Sequence, residues 1–94
     1  MSAWVYILAS RKQGTLYVGA TTDLAGRMWE HQERINKGFT ERYGVSRLVW
    51  VSEFATISEA LDFEYRIKRW RRNWKIQMIE KDNPDWNDLS ANLL

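Results

Sequence analysis

Apolar and polar positions alternate or recur along this chain in patterns that change from segment to segment. Trp4-Val5-Tyr6-Ile7-Leu8 is dense in β-branched and aromatic residues, the signature of a strand. Ser10 to Gly14 is polar and ends in glycine, which predicts a hairpin loop. Thr15 to Gly19 then reads as the returning strand. Thr21-Thr22-Asp23 supplies helix N-caps, and Leu24, Met28 and Ile35 follow at helical spacing. That helix is predicted from Asp23 to Asn36, with Lys37-Gly38 as its stop and a polar loop through Gly44. Leu48 to Val51 reads as a third strand that extends towards Phe54. Thr56-Ile57-Ser58-Glu59 matches a capping box and opens a helix to about Trp70. A second helical segment runs from about Asn73 to Lys81 and ends at Asn83-Pro84-Asp85. The order is β-β-α-β-α-α. It predicts an α/β chain of the α+β type, a three-stranded antiparallel sheet flanked by helices.

Composition narrows the classes. The 94 residues are expected to form a single domain with one modest core. Apolar residues are 45% and charged residues 28%, a globular balance. The 14 Lys and Arg against 12 Asp and Glu leave a net charge of only +2, so any basic function must come from local clustering. The absence of cysteine excludes disulfides, thiolate metal sites and a thiol nucleophile. With no apolar run of membrane-spanning length and no signal-peptide pattern, the expected location is cytoplasmic, away from membranes.

Three features depart from a plain core pattern. The helix after Thr56 is expected to present Ile57, Ala60, Leu61 and Ile67 to the core, and position 64 falls on the same face. Glu64 stands there, either as a salt-bridged residue at the edge of the stripe or as a ligand. On the first helix Arg27 and His31 lie one turn apart beside the apolar stripe, with Asp23 one turn before Arg27 as its ion-pair candidate. His31 is the only histidine, so a His–His metal pair is excluded. Tyr6 and Tyr17 sit on facing strands, and Gly19 closes the second strand, where a missing side chain permits close approach.

Arg66, Lys68, Arg69, Arg71, Arg72 and Lys75 then place six cations within ten residues, interleaved with Trp70 and Trp74. Lys37, Arg42 and Arg47 are further cations that the fold can add to this group. The pattern fits a phosphate-binding surface, and equally a solvated helix face whose tryptophans pack inward.

Taken in order, these residues resemble the GIY-YIG nuclease family, in its small single-domain bacterial branch. Trp4-Val5-Tyr6 and Tyr17-Val18-Gly19 stand as the two hairpin motifs, with ten residues, Ile7 to Leu16, between them. Arg27 matches the arginine of the following helix, His31 the histidine one turn on, and Glu64 the metal-binding glutamate of a later helix. Arg42-Tyr43-Gly44, Arg47 to Trp50, the Lys68 to Arg72 run, Trp74-Lys75 and Asn83 to Trp86 also resemble that branch. Each motif is weak alone; the ordered set is specific. Trp4 departs from the glycine often found there, and Val5 and Val18 from isoleucine.

The resemblance implies a metal-dependent endonuclease acting on nucleic acid, most naturally DNA. Glu64 would hold one Mg²⁺ or Mn²⁺, weakly without substrate. Arg27 would neutralise charge on the phosphate, and Tyr6 or Tyr17 would be the base, with His31 sharing or orienting the proton transfer. Arg27 or the metal is then expected to lower the tyrosine pKa from near 10. Lys37, Arg42, Arg66, Lys68, Arg69, Arg71, Arg72 and Lys75 would bind the backbone, and Asn83 is a candidate for a late asparagine of the site. A nucleic-acid-binding module without turnover and a tryptophan-rich protein-interaction domain are the competing readings. A protein partner is compatible with each, and the oligomeric state stays open.

Overall fold

In the computed structural model, residues 2–32 and 44–93 are described here. They form β1 (Ala3–Ala9), β2 (Leu16–Thr21), α1 (Leu24–Gln32), β3 (Arg47–Phe54), α2 (Ile57–Lys68), α3 (Arg72–Asp82) and a terminal 3₁₀ turn (Leu89–Leu93). The sheet order is β2-β1-β3, and both pairings are antiparallel. The predicted stop of the first helix at Asn36 to Gly38 lies outside the described residues.

The unbroken apolar run of β1 follows from its central position. Ala3, Val5, Ile7 and Ala9 face a core closed by Ala60 and Ile67 of α2, Ile79 of α3, and Trp86. Tyr6 and Leu8 face the other way, into a cluster with Leu24 and Met28 of α1, Val45 and Leu48. A strand buried on both faces needs apolar residues at both parities. Trp4 packs half-buried against this second cluster. Between β1 and β3 the register slips at Ile7/Leu8, so that Leu8 pairs with Leu48 and Ile7 with Trp50. Val49 is the extra residue of this bulge, and Val49 and Trp50 both enter the larger core.

Local chemistry sets the element ends. The hairpin closes through Ser10 N–H to Thr15 O at 3.0 Å and Gly14 N–H to Arg11 O at 2.9 Å. A Cβ at Gly14 would press on Ser10 Oγ and Arg11 Cγ, so this tight turn favours glycine. Asp23 caps α1 by accepting from Gly26 N–H at 3.1 Å, and Thr56 caps α2 by accepting from Glu59 N–H at 3.2 Å.

The face of α2 differs from the sequence expectation. Ala60 and Ile67 are buried as expected, but Ile57 is 40% and Leu61 49% exposed. Phe63 takes their place, with ring centroids 6.1 Å from Trp50, 5.4 Å from Phe54 and 6.1 Å from Trp70. One large ring with three aromatic partners turns the helix further than two aliphatic side chains at its edge.

Asn83 is buried and fully engaged. Its Nδ2 donates to Val49 O at 3.1 Å and Asn87 O at 2.9 Å, and its Oδ1 accepts from Asn87 N–H at 3.0 Å. It fastens the C-terminal turn to β3, so the candidate role in the site is replaced by a structural one. Trp86 is buried in the core while its Nε1–H donates to Glu80 Oε2 at 2.7 Å. Among the described residues no helix is long and apolar enough to cross a membrane.

Candidate active site

β1 and β2 carry the first three residues of the site. Gly19 pairs with Tyr6 across the strands, and Tyr17 pairs with Leu8. Tyr6 and Tyr17 are therefore diagonal neighbours, with ring centroids 6.3 Å apart. A Cβ at Gly19 would stand 2.5 Å from both Cζ and Oη of Tyr6. The glycine is there because the Tyr6 ring lies across its Cα.

α1 crosses this face and adds His31, whose Nε2 lies 3.2 Å from Tyr6 Oη. The His31 ring meets Tyr6 at 5.9 Å and Tyr17 at 5.5 Å, both edge-on. Tyr6 and His31 are buried; Tyr17 and Arg27 are half-buried. Asp23 makes no ion pair with Arg27; its carboxylate is used on the Gly26 N–H.

The electrostatics give the two buried partners opposite shifts. Burial pushes the Tyr6 phenol well above its ordinary value, and Tyr17 adds to this. Arg27 works the other way and is outweighed, while Glu64 and Glu30 raise it further. The expectation that a neighbouring arginine would lower this tyrosine is thus corrected for Tyr6: desolvation of the phenolate is the larger effect. Burial, then Arg27, lowers the His31 pKa below its ordinary value. Both shifts favour neutral partners, and the imidazole tautomer sets which of Tyr6 Oη and His31 Nε2 donates in their shared hydrogen bond.

Glu64 of α2 lies near enough for its charge to act on Tyr6. Its side chain is 18% exposed, and Oε2 pairs with Lys68 Nζ at 3.1 Å. Among the described residues no three His, Asp or Glu side chains cluster around a metal position. A lone hard carboxylate fits a Mg²⁺- or Mn²⁺-type cation whose remaining ligands are water and substrate oxygens, and does not fit an all-protein cage.

The basic run does not form one face. Arg66 pairs with Asp62 at 3.2 Å. Arg69 bonds Tyr65 Oη at 2.5 Å, its guanidinium 4.9 Å from the ring centroid. Arg72 donates to the hairpin carbonyls of Gln13 at 2.6 Å and Gly14 at 2.5 Å. Lys75 is half-buried, donates to Lys68 O at 3.4 Å, and has its pKa lowered by burial and then by Arg72. Arg71 is exposed just before α3. Lys37 and Arg42 lie outside the described residues. The tryptophans divide as well: Trp50 and Trp86 are buried, whereas Trp29 and Trp74 are each 53% exposed. The salt bridge that is one of the two expectations for Glu64 is present; its partner, Lys68, is not among those expectations, although the i, i+4 spacing signals it.

Comparison with known proteins matches this geometry to one family. The model of the GIY-YIG catalytic domain aligns with residues 2–77. The UPF0213 protein of Oceanobacillus iheyensis is 38% identical over 77 residues, covering 82% of this chain and 88% of that one. A UPF0213 protein of Clostridium perfringens is 36% identical over 76 residues, covering 81% of each. The solution NMR structure of the UPF0213 protein of Bacillus halodurans superposes with a TM-score of 0.58 at 32% identity, covering 94% of this chain and 93% of the other. Since the family model spans most of the chain and these relatives cover more than four fifths of it, the chain belongs to the GIY-YIG family of nucleases.

Proposed function

We propose that this protein is a divalent-metal-dependent endonuclease that hydrolyses phosphodiester bonds in nucleic acid, with DNA as its substrate. The observation that carries the proposal is the buried Tyr6–His31 hydrogen bond in a site that also holds Arg27 and Glu64. Hydrolysis needs a proton taken from water as it attacks phosphorus, and charge neutralised on the phosphate oxygens. A free Tyr6 phenolate is disfavoured by burial, so Tyr6 acts as a relay: with the imidazole in its Nδ1–H tautomer, Oη takes the water proton as its own proton passes to His31 Nε2. No phenolate accumulates, and the proton ends on the imidazole. Tyr17, the less buried tyrosine, orients the water against this pair. Arg27 presents its donor fork to the phosphate as negative charge develops there. Glu64 holds the Mg²⁺ or Mn²⁺, which when bound supplies Lewis-acid charge to the phosphate. Arg71, and the exposed Arg66 and Arg69, support backbone contact that carries no sequence readout.

The test is cleavage of labelled single-stranded, duplex and branched DNA, and of RNA, with Mg²⁺ or Mn²⁺. Glu64→Gln and Arg27→Ala are run beside the wild type, with folding checked by circular dichroism. Wild-type cleavage reduced about a hundredfold or more in folded variants is the expected result. A binding module that has lost turnover is the second reading, favoured by the Lys68 ammonium already neutralising Glu64. It predicts salt-sensitive nucleic acid binding, unchanged in Glu64→Gln, with no cleavage by any form.

A further inference from the structure

We infer that Lys68 is a resident competitor of the divalent cation at Glu64, so that substrate phosphate, by drawing the ammonium away, tightens metal binding. This rests on the reading of Glu64 as the metal ligand. Two i, i+4 ion pairs lie on α2, and their difference is informative. In Arg66–Asp62 the two side chains are 69% and 61% exposed at 3.2 Å, an ordinary surface pair. In Lys68–Glu64, at 3.1 Å, the ammonium side chain is 53% exposed and the carboxylate only 18%. The acid is the fixed partner at the site; the base is the mobile one, on a flexible four-carbon stem.

Glu64 has no second carboxylate or histidine completing a cluster of three among the described residues. A cation approaching it therefore meets a carboxylate whose charge is already matched. A dication and an ammonium on one carboxylate repel each other, so each weakens the other's hold. The ammonium, half in solvent already, leaves more readily when another anion receives it. A nucleic acid phosphate arriving beside Glu64 is that anion, and a metal on Glu64 would share the same phosphate. Substrate thus draws Lys68 off the carboxylate at the moment the metal is needed. The backbone of Lys68 stays in place meanwhile, because its carbonyl accepts from Lys75 Nζ and α3 is tied to the hairpin through Arg72. By linkage, metal and nucleic acid bind with positive cooperativity, and Lys68 carries part of that coupling.

The experiment is a Mn²⁺ titration of the full chain followed by electron paramagnetic resonance of the free ion. It is performed first without nucleic acid, then with a phosphorothioate-linked oligonucleotide that resists cleavage. Without nucleic acid, Lys68→Gln is expected to bind Mn²⁺ about two- to fivefold more tightly than the wild type, the factor equivalent to releasing one partly exposed ion pair. Arg66→Gln is expected to leave Mn²⁺ affinity unchanged. Adding the oligonucleotide should raise wild-type affinity by a larger factor than it raises that of Lys68→Gln. Equal binding by Lys68→Gln and wild type, including none by either, overturns the inference. Equal tightening in Arg66→Gln also overturns it, because net charge would then be the cause. Undiminished binding in Glu64→Gln instead removes the reading of Glu64 as ligand.

Discussion

Gly19→Ala isolates one contact of the site. No positive φ makes glycine necessary at this position, so the backbone itself accepts alanine. The obstacle is the Tyr6 ring, 2.5 Å from the new Cβ at two atoms and 3.0 Å at a third. Ordinary carbon contact begins roughly 1 Å further out. The ring must move by about that distance, which breaks the 3.2 Å bond from Tyr6 Oη to His31 Nε2. Overpacking and the lost buried hydrogen bond together cost about 2–4 kcal/mol. The assay is urea unfolding of Gly19→Ala in the wild type and in Tyr6→Leu, which removes Cζ and Oη. In the second background the substitution should be neutral, or stabilise by up to about 1 kcal/mol, because alanine in a strand loses less entropy than glycine. The sign of the effect therefore reverses between backgrounds. An equal cost in both would show that Gly19 is needed for something other than the Tyr6 ring.

The pH dependence of stability should show both shifted groups. The His31 pKa is lowered from 6.5, so the unfolded chain binds the proton more readily, and unfolding free energy should fall as pH drops below about 6.5. Urea titrations should find that slope absent in His31→Gln. The Tyr6 pKa is raised from 10.0, so its contribution holds below that value and is lost as pH climbs above it. Tyr6→Phe should therefore lack this part of the alkaline loss. Arg72→Met removes two charge-assisted bonds from the hairpin carbonyls and should cost about 1–2 kcal/mol after discounting for exposure, with faster amide exchange around Gly14. Arg71→Ala should leave the urea midpoint unchanged and weaken nucleic acid binding. Asn83→Ala breaks three hydrogen bonds and should destabilise by about 2–4 kcal/mol, with protease nicking after Asp82 as the accompanying sign.

Most elements were legible because their punctuation is local. Asp23 and Thr56 are caps in both sequence and structure, and the apolar run of β1 reads as a strand wherever it lies. The rotation of α2 was not legible, because it depends on Trp50, Phe54 and Trp70 converging on Phe63 from three other places in the chain. Tyr6, Tyr17, Arg27, His31 and Glu64 could be nominated by order and spacing. The direction of the Tyr6 shift could not, since it follows from the depth at which β1 and α1 bury the ring. The basic run looked continuous because cations look alike in sequence. Only the packed chain divides them into Arg72 on the hairpin, Lys68 on Glu64 and Arg71 in solvent.

The central strand precedes, in chain order, most of what covers it. β1 pairs with β3, some forty residues downstream, and shares a core with Trp86, still further on. On a ribosome, this apolar strand therefore emerges well before β3, α2 and Trp86 can cover it. The intervening chain can form the β1–β2 hairpin, which shields one edge and neither face. Until that cover arrives, both apolar faces of the strand are exposed surface prone to aggregation. Loss of the segment carrying Trp86 should therefore cost folding as surely as loss of β3, because it opens the larger core face of β1.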